Sequence, residues 1–376
     1  YPLFAMLFGF GLATMVNRRI TSGARSYLES LPGVEAGREP TEQEEAWARE
    51  QATVDARRLV RRRGLWMILF GAVHAVLFSG DIIGTYGLAA VIFAGWLTRK
   101  HRKRAMAVSA VVTLATISTM HTMSTHVAAQ GLSAAAVMKQ GAGESATTLL
   151  SYVSHGVTSW AGNSVATVLF SMVVPAMFLG ARLADTDFLA HPERYRRLLT
   201  GVGLGGLGIG AAGGIGYGIW ATGGTLAGWT APLHEVTGLV GACGWLALLA
   251  LYAGGPRPDG RLTGLRRLAS NVGRRSMTAY LSQTFLFAII FLALPALTGM
   301  ELHLGEAWAA GIAVAVWLAT VGLCAVLERG GHSGPFETLL RTAVARSERR
   351  RRLPAPPAPV LPMETAASSD AYGLVH

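Results

Sequence analysis

Apolar residues along this chain fall in long runs, and each run is closed by a short polar cluster rich in arginine. Nine runs, at about 1–17, 64–80, 82–98, 105–127, 162–181, 198–220, 234–254, 277–299 and 307–327, have the length of a helix that crosses a bilayer core, roughly 17 to 25 residues. The pattern predicts an all-α, polytopic transmembrane helix bundle of nine spans. Composition agrees, since 51% of the 376 residues are hydrophobic and 15% charged, against about 25% charged in an average soluble domain.

The polar clusters also give an orientation. Taken alternately, connections 18–63, 99–104, 182–197, 255–276 and the segment after 328 hold 32 of the 33 Lys and Arg residues. The other connections, at 81, 128–161, 221–233 and 300–306, hold Lys139 alone. Because Lys and Arg are retained on the cytoplasmic side during insertion, the first set and the C-terminus are predicted to be cytoplasmic. Nine spans then put Tyr1 outside, and a tenth helix is expected before it in the full protein. The opening YPLFAMLFGFGLATMV has no basic region ahead of its apolar core, unlike a cleavable signal peptide.

Residues 1–345 are read as the bundle, and 346–376 as a basic and then Pro-rich disordered tail. Connection 18–63 is the largest polar piece. Thr41 with Glu44 forms a capping box, and acidic Glu42, Glu45 and Glu50 precede basic Arg57, Arg58, Arg61, Arg62 and Arg63. A surface helix is therefore expected from about 42 to 63, leading into the second span. The outer connection 128–161 is long and poor in charge, and is expected to re-enter or to cover the outer mouth.

A net charge of +11 would suggest nucleic acid for a protein in solution. Here the charge lines one membrane face, so the expected partners are anionic membrane lipids and no nucleic acid. Cys243 and Cys324 lie far apart within predicted helices and lack CxxC spacing, which indicates neither a disulfide framework nor a metal site. His121 and His126 are five apart, a spacing that does not align two ligands on a helix, and no metal is predicted. Gly203, Gly205 and Gly208 satisfy GxGxxG, but inside an apolar run rather than between a strand and a helix. Gly206, Gly210, Gly214 and Gly218 recur every four residues and predict a helix-packing face instead.

Candidate chemistry lies in GAVHAVLFSGDIIGTYG, residues 71–87. A charged group at mid-span costs roughly 2.5 to 3.5 kcal/mol, so His74 and Asp81 are expected to face the bundle interior. If the helix runs on to Gly80, both lie on one face about 10 Å apart, with an acceptor hydroxyl or a water chain between them. The catalytic reading makes His74 a general base and Asp81 the group that orients it or the acceptor. In the structural reading His74 bonds a neighbouring helix and Asp81 caps the third span. Further on, Arg274 and Arg275 are candidates for a cofactor's phosphates, and Tyr280 and Gln283, three apart on one face, for lining its entrance. Ser276 is placed to cap that helix, Pro335 starts a short helix, and Glu337 is expected to pair with Arg341 at i and i+4.

Five blocks carry a resemblance: FAMLFGFGLA (4–13), RRRGLWMILFGAVHAVLFSGDIIGTYGL (61–88), MFLGARLADTDFL (177–189), GRRSMTAYLSQTFL (273–286) and GPFETLLR (334–341). In this order, and over most of the chain except loop 18–63 and the tail, they resemble the YeiB family of bacterial membrane proteins that carry domain of unknown function 418. That family is distantly similar to transmembrane acyltransferases of the heparan-alpha-glucosaminide acetyltransferase kind. In those, cytosolic acyl-coenzyme A donates an acyl group across the membrane with the help of a histidine near the outer side. The resemblance implies a ten-helix bundle with a central cavity in the bacterial cytoplasmic (inner) membrane. It also implies acyl-coenzyme A as co-substrate and an outer-side lipid or glycan as acceptor. The acyltransferase's histidine corresponds to a position before Tyr1, so His74 is a different residue. Two functions remain open: an acyltransferase, or a transporter or lipid-handling protein using the same cavity without chemistry. No duplicated pair of broken helices suggests the inverted repeats of a transporter.

Overall fold

The computed structural model describes residues 1–35, 37–131, 149–222, 228–255, 262–299, 305–349 and 353–357, which are all-helical. The helices are α1 (Pro2–Glu29), α2 (Glu42–His74), α3 (Ile83–Thr98), α4 (Arg102–Ala129), α5 (Leu149–Leu169), α6 (Val173–Leu183) and α7 (Arg196–Ala221), the last preceded by a 3-10 turn. There follow α8 (Thr230–Ala253), α9 (Gly264–Arg274), α10 (Ser276–Thr298), α11 (Glu306–Arg329) and α12 (Pro335–Arg346). Among the described residues, six helices are long and apolar enough to cross a membrane: α1, α4, α7, α8, α10 and α11. Helices α5 and α6 make a seventh span if the bent pair is counted as one. The chain is thus a multi-pass membrane protein. The expected cover of the outer mouth falls largely on residues 132–148, and most of the expected tail on 350–352 and 358–376, outside the described residues.

Two predicted runs take a different form. Run 162–181 is broken at Phe170–Met172, where α5 and α6 meet at 59°. Pro175 explains the break, because its ring would clash with the carbonyl four residues back in a continuous helix but is tolerated in the first turn of α6. Run 64–80 stops being helical at His74 and reverses. Pro295 acts more gently in α10, where a π turn at Ile289–Ala293 widens the helix just before it.

Helix α2 is continuous from Glu42 to His74, so the predicted surface helix and the start of the second span are one rod. Its capping box is present, with the Glu44 amide donating to Thr41 Oγ1 (3.3 Å) and the Thr41 amide to Glu44 Oε2 (2.8 Å). Arg38 completes it with a 2.8 Å ion pair to Glu44. That hydrogen bond from Arg38, aided by the Thr41 amide, holds the Glu44 carboxyl down at about 2.

The buried centre is built where α1, α2, α3 and α6 meet, around Met6, Val16, Val60, Val174 and Met177. Helices α1 and α6 touch backbone to backbone there. A Cβ on Gly9 would lie 1.9 Å from the Met177 carbonyl oxygen, and one on Gly180 would lie 1.9 Å from that of Met6. Helices α7 and α8 form the other intimate pair, through a glycine face that differs from the predicted one. Gly203, Gly206, Gly210 and Gly213 meet α8, whereas Gly214 barely approaches it and Gly218 faces open space. Each step of four residues overshoots a helical turn by about 40°, so a strict repeat of four drifts off the contact while steps of three and four stay on it.

Charges collect at one end. Glu50 pairs with Arg99, Lys100 with Asp185 (2.6 Å), Arg62 with Glu348 (2.9 Å) and Arg275 with Glu328 (2.8 Å). The first three pairs each join two connections of the arginine-rich set, and the fourth joins Arg275 to the C-terminal end of α11. At the opposite end Tyr1 donates to Glu235 and accepts from the Met172 amide, and Ser124 donates to the Gly228 carbonyl.

Candidate functional site

The α2–α3 hairpin brings the two ionisable residues of the apolar stretch together. After His74 the chain makes successive turns, in which the Leu77 and Phe78 amides donate to the His74 carbonyl (2.9 and 3.0 Å) and the Asp81 amide to that of Phe78 (3.2 Å). Asp81 therefore folds back over the end of α2. Its Oδ1 lies 2.8 Å from His74 Nδ1, and its Oδ2 accepts the Gly84 amide at 2.8 Å. The separation of about 10 Å expected for a helix running on to Gly80 is corrected to direct contact, because α2 ends six residues earlier. The capping role foreseen for Asp81 is real as well, since Gly84 carries one of the amides that a helix start leaves without an internal partner.

Glycines let the hairpin close this tightly. A Cβ on Gly71 would lie 2.6 Å from Asp81 Oδ2 and from the Gly84 backbone, and Gly64 and Gly87 approach each other's backbones equally closely. From Arg99 at the basic end, the 16 residues of α3 rise about 24 Å, short of the roughly 30 Å of a hydrocarbon core. The turn thus sits within the apolar thickness. Irregular backbone is tolerated at such depth where protein covers it, and α5 and α10 do so. Gly156 of α5 comes against the Ala75 carbonyl, Trp160 lies over Gly84, and Tyr280 of α10 meets the His74 ring edge-on at 5.2 Å. His74 and Asp81 are each 4% exposed.

With Asp81 as the carboxylate and His74 neutral, Nδ1 carries the proton and donates to Asp81, which leaves a lone pair on Nε2. Nε2 is buried without a hydrogen-bond partner among the described residues. Trp160 Nε1 is in the same condition, and the Tyr280 hydroxyl sits beside the Ile82 amide outside ordinary hydrogen-bond geometry. Trp160 had no signal in the sequence, which placed it at the end of the outer connection 128–161.

Of the predicted cofactor residues, Tyr280 joins the His74 site and the others do not. Gln283 donates to Thr320 of α11 (3.3 Å). Arg275, 5% exposed, is bonded to Glu328 and to the His332 carbonyl. Arg274 is exposed and lies 3.4 Å from the same carboxylate. Ser276 does not cap α10 with its side chain. Glu337 does so instead, accepting the Met277 and Thr278 amides (2.8 and 2.9 Å) and the Thr278 hydroxyl. The expected Glu337–Arg341 pair is not formed, because the uncompensated amides at the start of α10 attract the carboxylate more strongly than an exposed guanidinium does.

Residues 183–347 match the family model described as protein of unknown function, DUF418. This part of the chain, 165 of the 376 residues, is similar to the DUF418 family. The match agrees with the resemblance read from the sequence blocks, and its region contains α7 to α12 with Arg274, Arg275, Tyr280, Gln283 and Glu337. The hairpin with His74 and Asp81 precedes the DUF418 region and packs on it through Tyr280. No curated protein and no solved structure matches the chain.

Proposed function

We propose that this chain is a membrane-embedded acyltransferase of the bacterial cytoplasmic membrane, with nine spans and a cytoplasmic C-terminus, and that His74 is its general base. The observation that carries the reading is the buried His74–Asp81 pair, which fixes the imidazole by Nδ1 and leaves Nε2 as an acceptor in a water-poor interior. Acyl-coenzyme A reaches the site from the arginine-rich end, and a lipid or glycan hydroxyl from the other.

In the reaction Nε2 takes the proton of the acceptor hydroxyl as its oxygen bonds to the thioester carbonyl carbon. The carbon–sulfur bond then breaks, and the departing thiolate of coenzyme A recovers the proton from Nε2. Asp81 holds the ring in place and stabilises the transient imidazolium, as the carboxylate of a triad does. Tyr280 and Trp160 carry the hydroxyl and indole N–H beside the site that would bond to the carbonyl oxygen as charge develops on it. In the observed conformation Phe78 and Tyr280 lie against the imidazole, so substrates gain access by displacing one of these rings.

Calorimetry of the detergent-purified full chain with coenzyme A and acetyl-coenzyme A tests the donor. Micromolar binding that survives His74→Ala is expected. Absence of binding by a folded protein would remove the acyl-coenzyme A reading and favour transport or lipid handling.

A further inference from the structure

At the arginine-rich end, α1, α2, α10 and α12 enclose a cavity of about 520 Å³. Five arginines from four separate stretches of chain converge on it: Arg19, Arg62, Arg63, Arg274 and Arg341. Its floor is apolar, made by Met15, Leu59, Met277, Leu340 and Val344. Two carboxylates line it, Glu337 and Glu348. Glu337 is spent on the amides of α10, and Glu348 pairs with Arg62 at 2.9 Å. Arg274 reaches Glu328 only at 3.4 Å and stays largely exposed. For Arg19, Arg63 and Arg341 the structure records no carboxylate within ion-pair distance among the described residues.

Basic residues that serve insertion alone can be spread over a convex face, where water and headgroups separate them. Here they surround a concavity with an apolar floor, where like charges repel and field lines focus. A multiply charged anion would relieve that repulsion. Guanidinium groups match phosphate oxygens in geometry, offering two parallel donors each, and the volume lies within the range of ordinary ligand sites.

We propose that this cavity is a binding site for a phosphate group bearing two or more negative charges, held by Arg19, Arg63 and Arg341. Glu348, 67% exposed at the rim, occupies Arg62 when no anion is bound and is displaced by one. The phosphate belongs to an anionic lipid headgroup or to a soluble phosphorylated compound. The site stands whether or not His74 performs acyl transfer.

The test uses the full chain in phosphatidylcholine nanodiscs. One arm titrates inorganic pyrophosphate by calorimetry, and the other adds phosphatidic acid to the nanodisc and follows bound lipid by mass spectrometry. Saturable binding is expected in at least one arm; pyrophosphate alone would identify a soluble phosphate ligand, and phosphatidic acid alone a lipid. The Arg63→Gln/Arg341→Gln double variant should weaken it at least tenfold, Arg329→Gln on exposed surface outside the cavity should leave it unchanged, and Glu348→Gln should tighten it about threefold. The proposal is overturned if neither arm saturates, or if Arg329→Gln weakens binding as much as the double variant. Should the double variant lose its helical circular dichroism, Glu348→Gln decides alone, and no tightening overturns the proposal.

Discussion

The α2–α3 hairpin and the arginine-rich end both place polar groups in an apolar protein, by opposite means. In the hairpin two ionisable side chains are sealed against each other and against one amide, each 4% exposed. At the basic end the guanidinium groups are many and mostly exposed, while the carboxylates among them are taken by a helix start or by one or two arginines. Sealing fixes direction, since a buried group must satisfy its partner in one geometry. Exposure gives charge without direction. The hairpin is thus suited to moving a proton at one atom, and the basic end to holding a charged group of loose orientation.

The largest expected effect lies in the hairpin. Asp81→Ala strands His74 Nδ1–H and the Gly84 amide together and should cost about 3 kcal/mol of stability, from two buried donors left unpaired. Asp81→Asn keeps one oxygen for the Gly84 amide and can donate its NH2 to Nδ1 of the other His74 tautomer, so it should cost about 1 kcal/mol. Unfolding in mixed micelles measures each, and equal costs would mean that the hairpin is not sealed by hydrogen bonds. Next comes Gly71→Ala, whose methyl group would meet Asp81 and the Gly84 backbone at 2.6 Å; overpacking there should cost about 2 kcal/mol. Gly218→Ala, facing open space on α7, should cost nothing and serves as its control.

At the basic end effects should be smaller and local. Glu337→Ala removes the cap of α10 and should cost about 1 kcal/mol, with faster hydrogen exchange confined to the amides of Met277 and Thr278. A global loss as large as that of Asp81→Ala would erase the distinction between the two regions. Smallest is the pH response of the 18–63 connection. Glu44 is held at about 2 against an ordinary 4.5, so its contribution is complete above the ordinary value and is lost as pH falls toward 2. Hydrogen exchange around residues 38–48, corrected for its intrinsic pH dependence, should accelerate over that window in the wild type. In Glu44→Gln the window should disappear.

What the sequence revealed and what it hid differ by the range of the interaction. The capping box at Thr41–Glu44 was legible because both halves are local and three residues apart. Apolar run lengths marked the long spans for the same reason. The break at Pro175 was legible in principle, from the one residue within run 162–181 that cannot continue a helix. The end of α2 was not. AVLFS carries no helix stop between His74 and Gly80, and the reversal is held by the His74–Asp81 contact together with the cover from Gly156 and Trp160, which only folding brings into place. Glu337 was misassigned likewise, because its local partner Arg341 was visible and its actual partners, the amides of Met277 and Thr278, are about 60 residues away. Tyr280 was singled out for a cofactor entrance, yet its ring rests on His74, since α10 packs its first turns on the hairpin.

The central claim is that Nε2 of His74 moves a proton, and acyl transfer measures it most directly. Membrane vesicles holding the full chain would be supplied with labelled acetyl-coenzyme A, and label followed into lipid and glycan fractions for the wild type and for His74→Ala. The account predicts transfer by the wild type that falls by about a hundredfold or more in His74→Ala, the range of a lost general base, with coenzyme A binding retained. Equal transfer by His74→Ala would contradict it and return the buried pair to a purely structural role.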